Sequence, residues 1–269
     1  MVGYARSRWR LIRSEAADGA TNMAVDEAIL RGVASGEVPP TLRLYAWKPP
    51  CLSLGRGQPV DDIDSDALEA TGYGLVRRPT GGRAILHIDE LTYSLIVPQG
   101  EPRVSGGVVE SYRRLSAGLL RALEHLGVVD IVADERAEDS GPEGPVCFEM
   151  PSDYEITGGG RKLVGSAQMR SDGVVLQHGA LPLHGDIARI CRLLASHPDA
   201  GRVRARAATL EEALGRAPSW DEAAHALETG FAQALNLILE PSTLSAAERS
   251  QAQVLTTEKY ATDEWTTLL

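Results

Sequence analysis

Between positions 153 and 181 three strand-like segments follow one another with little between them: 153–156, the glycine turn Gly158-Gly159-Gly160, then 162–169 and 174–181. Strands joined by short turns pair antiparallel, because a parallel partner needs a crossover of about a dozen residues. Just ahead of this meander lies a strong helical stripe, in which Val108, Tyr112, Leu115, Leu119, Leu123 and Leu126 recur on one face. The fold class expected is α+β, with mixed, largely antiparallel sheets flanked by helices.

Upstream, 21–34 reads as an amphipathic helix with a cap-like Thr21 and Asn22, ended by Gly36 and Pro39-Pro40. Residues 41–47 alternate and 51–54 have strand character; with Pro49-Pro50 between them they predict a hairpin-like pair. A short helix is expected over 61–70, a strand over 74–78 that runs into Pro79-Thr80-Gly81-Gly82, and strands over 84–87, 91–97 and 128–132. The acidic stretch 133–145, rich in Gly, Pro and Ser, predicts a mobile surface loop. From Asp186 the pattern is mainly helical, including 220–237 and 245–260. With no repeat, low-complexity tract or linker, a single domain over 1–269 is expected.

Composition removes several function classes. Thirty-seven acidic against 27 basic residues give a net charge of −10, so no general attraction to nucleic acid or an anionic membrane is expected. No apolar run approaches the roughly 18–20 residues of a membrane span, and the four arginines of the first 13 residues precede no apolar segment, which points to the cytosol. Cys51, Cys147 and Cys191 are odd in number, widely spaced and without a Cys-x-x-Cys pair, so neither a disulfide framework nor a zinc site is expected. Against 24 arginines stand only Lys48, Lys162 and Lys259. A retained lysine raises the question whether a compact, titratable amine is needed there.

Chemistry concentrates in two places. In Arg77-Arg78-Pro79-Thr80-Gly81-Gly82-Arg83 two glycines sit at a strand end among three guanidinium groups, which suits close approach of an anionic or carbonyl-bearing group, the alternative being an ordinary turn with solvent-facing arginines. The segment is neither a Walker A loop nor a dinucleotide fingerprint. Cys147 stands between the acidic loop and the meander, with Lys162 fifteen residues on. A neighbouring ammonium would favour its thiolate and suit acyl transfer; burial as a small hydrophobe is the other fate open to it, and the one expected of Cys51 and Cys191. His87, followed by Asp89 and Glu90, is placed to orient a substrate, to carry a proton or to serve structure, and His178 is similar. No Gly-x-Ser-x-Gly or His-Glu-x-x-His occurs.

Taken in order, six segments resemble the lipoate-protein ligase and octanoyltransferase superfamily, which shares its catalytic fold with biotin-protein ligases. They are Asn22-Met-Ala-Val-Asp-Glu-Ala28, Leu52-Ser-Leu-Gly-Arg56 with Gln58, and Arg77-Arg-Pro-Thr-Gly-Gly-Arg-Ala-Ile-Leu-His87, followed by Glu90-Leu-Thr-Tyr-Ser94, Gly160-Arg-Lys-Leu-Val-Gly-Ser-Ala-Gln168 and Lys259-Tyr-Ala-Thr-Asp-Glu-Trp265. The resemblance implies a biotin/lipoate protein ligase-like catalytic domain, substrate contacts at Arg77, Gly81, Gly82, Arg83, His87, Gly165, Ser166 and Ala167, and no metal.

Two chemistries compete within it. ATP-dependent ligases usually carry a third glycine where this sequence has Arg83. The segment Cys147-Phe-Glu-Met-Pro-Ser152 instead resembles the nucleophile region of octanoyltransferases. This implies that Cys147 takes octanoyl from octanoyl-acyl carrier protein, with Lys162 favouring the thiolate and then polarising the carbonyl, and passes it to a lysine of a lipoyl-domain protein such as glycine cleavage H protein or dehydrogenase E2. Neither nucleotide nor cofactor is needed, because the donor is already a thioester. Arg77, Arg78 and Arg83 either shape the loop or meet the acidic partners. The alternatives are an ATP-dependent ligase, an amidotransferase that moves octanoyl between lipoyl domains, and a non-catalytic binding subunit.

Overall fold

Strands apolar on both faces occupy the middle of the larger sheet, and the glycine-rich loop hangs from a smaller one beside it. The computed structural model describes residues 3–135, 146 and 154–269. In chain order the elements are β1 (Ser7–Arg13), α1 (Gly19–Ala34), β2 (Thr41–Tyr45), β3 (Cys51–Leu54), α2 (Ser65–Thr71), β4 (Gly74–Arg77), β5 (Ile85–His87), β6 (Glu90–Pro98), α3 (Val108–Leu126), β7 (Ile131–Glu135), β8 (Tyr154–Gly158), β9 (Arg161–Ser171) and β10 (Val174–Pro182). Then come α4 (Ala200–Arg206), α5 (Leu210–Leu214), α6 (Trp220–Leu235), β11 (Leu237–Pro241), α7 (Ala246–Leu255) and α8 (Asp263–Thr266). Among the described residues eight strands form one sheet in the order β11-β1-β2-β6-β10-β9-β8-β7, and three form another in the order β4-β3-β5.

The meander forms as its turns dictate: β8, β9 and β10 pair antiparallel in sequence, and β10 continues antiparallel onto β6. α3 and α6 cover one face of the large sheet, where Leu115, Leu119 and Phe231 meet Leu95 and Tyr93. α1 and α7 cover the other, with Met23, Ile29 and Ala252 against Ile12, Ile96 and Leu176. The small sheet packs with α2 and α4 around Leu54, Leu68, Leu194 and Val203. The α+β class with largely antiparallel sheets is what the sequence predicts.

Three local expectations are corrected. β2 and β3 do not form a hairpin. β2 already has β1 parallel on one edge and β6 antiparallel on the other, while β3 lies between β4 and β5 in the second sheet. Both strands are buried throughout, so each needs neighbours on both edges. The strand expected at 128–132 runs instead over Ile131–Glu135, because Gly127, in the left-handed region at φ 90°, ends α3 and turns Val128 into the core before β7 begins. Of the loop expected over 133–145, residues 133–135 therefore belong to β7, and 136–145 lie outside the described residues. A short strand, β11, interrupts the helical C-terminal portion and pairs parallel with β1.

Candidate active site

Arg77 ends β4 with its guanidinium buried. Nη1 donates to Gly55 O at 2.9 Å and Gln58 O at 2.6 Å, and Nη2 donates to Thr266 O at 2.8 Å. Arg78 folds back on its own loop, donating to Gly81 O and Arg83 O, each at 2.8 Å, and to Ser53 O at 3.1 Å. Five-donor guanidinium groups suit this gathering of carbonyls. Of the two roles open to these arginines, Arg77 and Arg78 shape the loop: at 0% and 2% exposure they are closed to a docking protein. The loop also stacks on a neighbour. A Cβ on Gly55 would fall 1.9 Å from Gly82 O, and Gly82 itself sits at φ 93°. Gly81 and Gly82 are exposed and Arg83 is half-buried, so the tip of the loop faces outward.

Behind the loop is a narrow cavity of about 20 Å³ to which both sheets contribute, with Met23, Trp47, Ser53, Ile85, Gly165 and Ala167 among its walls. His87 and His178 complete it. Of the β9 trio expected to touch substrate, Gly165 and Ala167 face the cavity. Ser166 alternates away, its Oγ 2.8 Å from Tyr93 Oη. His87 stacks on Trp47, 3.9 Å between ring centroids and 13° from parallel. A second, more open cleft of about 270 Å³ shares Trp47 and His87 with the first and adds Asp89, Glu90, His184 and Trp220.

One wall of the narrow cavity rests on a buried polar cluster. Asp26 Oδ1 accepts from Arg43 Nη1 at 2.8 Å and from Ser94 Oγ at 2.9 Å, and Oδ2 from Tyr45 Oη at 2.9 Å. Burial pushes the Asp26 carboxyl up, but Arg43 and His178 beside it together outweigh that and hold it below the ordinary value. Thr80 Oγ1 lies 2.7 Å from His178 Nε2, tying the loop to β10. Burial lowers His178, which favours the neutral ring.

Lys162, on β9 three residues before Gly165, is 3% exposed, and its Nζ pairs with Glu155 Oε1 at 3.1 Å. Cys147 lies outside the described residues. Val146, peptide-bonded to it, is buried and bridges in parallel with Ala84, the residue after Arg83. Cys51 and Cys191 are buried, as their sequence settings predict, and burial pushes the Cys51 thiol upward. Among the described residues no group of His, Cys, Asp and Glu could hold a metal ion, and no helix is long and apolar enough to cross a membrane.

Sequence reasoning did not single out Asp26, Arg43, Ser53 or Trp47. Arg43 had a usable signal, a lone charge between Leu42 and Leu44 on a strand buried throughout. Glu27 was missed too: it accepts from Lys259 Nζ and Tyr260 Oη, each at 2.6 Å, and so explains part of the C-terminal motif.

The family described as lipoyl protein ligase A/B catalytic domain matches residues 18–232. An octanoyltransferase LipM of Symbiobacterium thermophilum is 45% identical over 96% of this chain and 98% of its own length. One of Kyrpidia tusciae is 46% identical over 96% and 97%. Among solved structures, a lipoate-protein ligase A bound with ATP superposes with a TM-score of 0.82 at 26% identity, covering 97% of this chain and 100% of that one. A putative lipoate protein ligase from T. acidophilum with bound lipoic acid gives 0.80 at 26% identity, covering 98% and 100%.

Proposed function

The chain belongs to the lipoyl protein ligase A/B catalytic domain family, and from that premise we propose that it moves octanoyl from octanoyl-acyl carrier protein to a lysine of a lipoyl-domain protein through a thioester on Cys147. The observation that carries the reading is the end-to-end likeness, at 45–46% identity, to proteins named octanoyltransferase. The place of Val146 beside Ala84, next to the glycine loop, supports it, because Val146 is the residue that precedes Cys147 in the sequence.

In the first half-reaction the Cys147 thiolate attacks the donor carbonyl. A new C–S bond forms, the bond to the carrier's thiol breaks, and the octanoyl tail lies against Gly165, Ala167 and Ile85, where the cavity of about 20 Å³ has to widen to take it. In the second, the acceptor amine attacks the Cys147 thioester, an amide forms and the thiolate returns. Lys162 supplies positive charge for the thiolate and for the carbonyl oxygen as it turns negative. Arg83 and the exposed Gly81 and Gly82 border the entry. A thioester is already activated, so neither half-reaction calls for ATP.

The solved relatives at 26% identity are described as ligases, and one of them holds ATP, so the competing reading is an ATP-dependent lipoate ligase. Mixing the protein with octanoyl-acyl carrier protein, without ATP or magnesium, and mapping its peptides by mass separates the two. One octanoyl group on the Cys147 peptide, released to an added lipoyl domain, is the expected result. Lipoyl-domain modification that needs free lipoate and ATP and survives Cys147→Ala would overturn it. Loading only from an octanoylated lipoyl domain would make the enzyme an amidotransferase instead.

A further inference from the structure

Three buried side chains stand where the narrow cavity adjoins the open cleft, linked as hydroxyl, imidazole and carboxylate. Ser53 Oγ lies 2.8 Å from His87 Nε2, and His87 Nδ1 lies 2.8 Å from Glu90 Oε1. Their exposures are 1%, 5% and 6%. A carboxylate only accepts, so Nδ1 carries the ring proton, Nε2 of the neutral ring accepts, and the Ser53 hydroxyl donates to it. Arg78 Nη1 also donates to Ser53 Oγ, at 3.1 Å, which favours negative charge building on that oxygen.

The imidazole is fixed from a second direction. Trp47, stacked on it, donates from Nε1 to Thr92 Oγ1 at 2.8 Å, and the Thr92 hydroxyl donates to Glu90. Trp47, Thr92, Glu90 and His87 thus close a ring of contacts that a turn of the imidazole would break. Such preorganisation suits proton transfer. The constellation is also close to Val146, the residue before Cys147 in the sequence: Ser53 is the register partner of Ile85, one residue past the Ala84 that bridges Val146.

We propose that Ser53, His87 and Glu90 form the proton relay that deprotonates the acceptor amine as it attacks the thioester, and that the open cleft beside His87 is the amine's way in. The proposal rests on the octanoyl-transfer reading and deepens it. The two half-reactions differ in their need for a base. In loading, the group expelled is a thiolate, whose thiol has an ordinary pKa of about 8.5, and it departs without a proton. In transfer, the attacking nitrogen becomes positive, and until it loses a proton its expulsion competes with that of the thiolate.

The lysine enters as an ammonium and leaves one proton with water in the cleft, where Glu90 and Asp89, the latter paired with Arg189 at 2.8 Å, supply carboxylates. The N–C bond then forms and the C–S bond to Cys147 breaks. The second amine proton passes to Ser53 Oγ as the Ser53 proton passes to His87 Nε2, and Glu90 holds the imidazolium. The imidazolium then returns that proton to water in the cleft, which resets the relay before the next loading, and the expelled carrier thiolate takes its own proton from solvent.

The test is a single-turnover comparison of wild type, Ser53→Ala and Glu90→Gln. Each is loaded with octanoyl-acyl carrier protein and then given either a lipoyl domain or hydroxylamine. The expected result is a fall of about 10²-fold or more in the ratio of transfer rate to loading rate for both variants. Hydroxylamine, a weakly basic amine that needs no relay, should deacylate them as fast as wild type. An unchanged ratio overturns the relay, as does an equal slowing of loading, transfer and the hydroxylamine reaction, which would mark a structural role. An octanoyl ester on the Ser53 peptide overturns it in favour of a serine nucleophile. A wild-type enzyme that never loads Cys147 sinks the underlying reading and the relay with it, so the two failures are told apart.

Discussion

Arg77 and Trp265 are locked in both directions: Trp265 Nε1 donates to Arg77 O at 2.8 Å, and the Arg77 guanidinium donates to the carbonyl of the next residue, Thr266. The glycine loop and the C-terminal segment therefore support one another. Arg77→Lys replaces a planar fork with a point charge that cannot reach all these carbonyls, and should lower stability by about 1–3 kcal/mol. Trp265→Phe keeps the ring and deletes one donor, and should cost about 1 kcal/mol. Denaturant unfolding of the two variants checks the order.

The glycines of the loop are not equivalent. Gly55→Ala drives a methyl into the Gly82 carbonyl and should cost about 3 kcal/mol or more, with a fall in Tm of several degrees and loss of octanoyl loading. Gly81→Ala meets no atom within 4 Å and should unfold within about 0.5 kcal/mol of wild type. Equal melting temperatures for the two would mean that the loops do not stack as described.

The Asp26 carboxyl titrates below its unfolded value, so the pair with Arg43 stabilises the fold fully above about pH 4 and loses that contribution as the pH falls through the lowered native value. Asp26→Asn removes the charge, strands the buried guanidinium and should cost about 3–5 kcal/mol at neutral pH. The variant should also show a shallower loss of stability between neutral and acid pH. Urea unfolding of both proteins across that range measures the two slopes.

Cys51 and Cys191 should resist alkylation in the native protein at pH 8, because both thiols are buried and the thiolate of Cys51 is disfavoured by that burial. Both should react once the protein is unfolded. Cys51→Ala should still accept octanoyl from the carrier protein. Peptide masses after native and denatured labelling, and a loading assay on the variant, check each point.

Much of this arrangement was legible in the residues, for identifiable reasons. The stripe of α3 matches its bounds because six apolar positions fix one helix face and Gly127 ends it. The meander and the loop after β4 follow from turns that tolerate few alternatives. Strand partners were harder to read. Alternation in β2 reports that it is a strand, but its partners β1 and β6 come from far along the chain, and the nearer β3 joined another sheet. β11 was missed because it is short, half exposed and ends in Pro241 at a sheet edge. Within the site, His87 stood out by its acidic neighbours, whereas Ser53 is one serine between two leucines, and only the closing of β3 on β5 gives it a partner.

The reciprocal hold of Arg77 on Thr266 spans 189 positions. During synthesis at about 5–20 residues per second, the loop built around Arg77 emerges roughly ten to forty seconds before the carbonyl that completes it. For that interval the Arg77 guanidinium lacks its last partner, so the hydrogen-bond set that holds the glycine loop is completed only at the end of synthesis, after the strands of the small sheet have emerged.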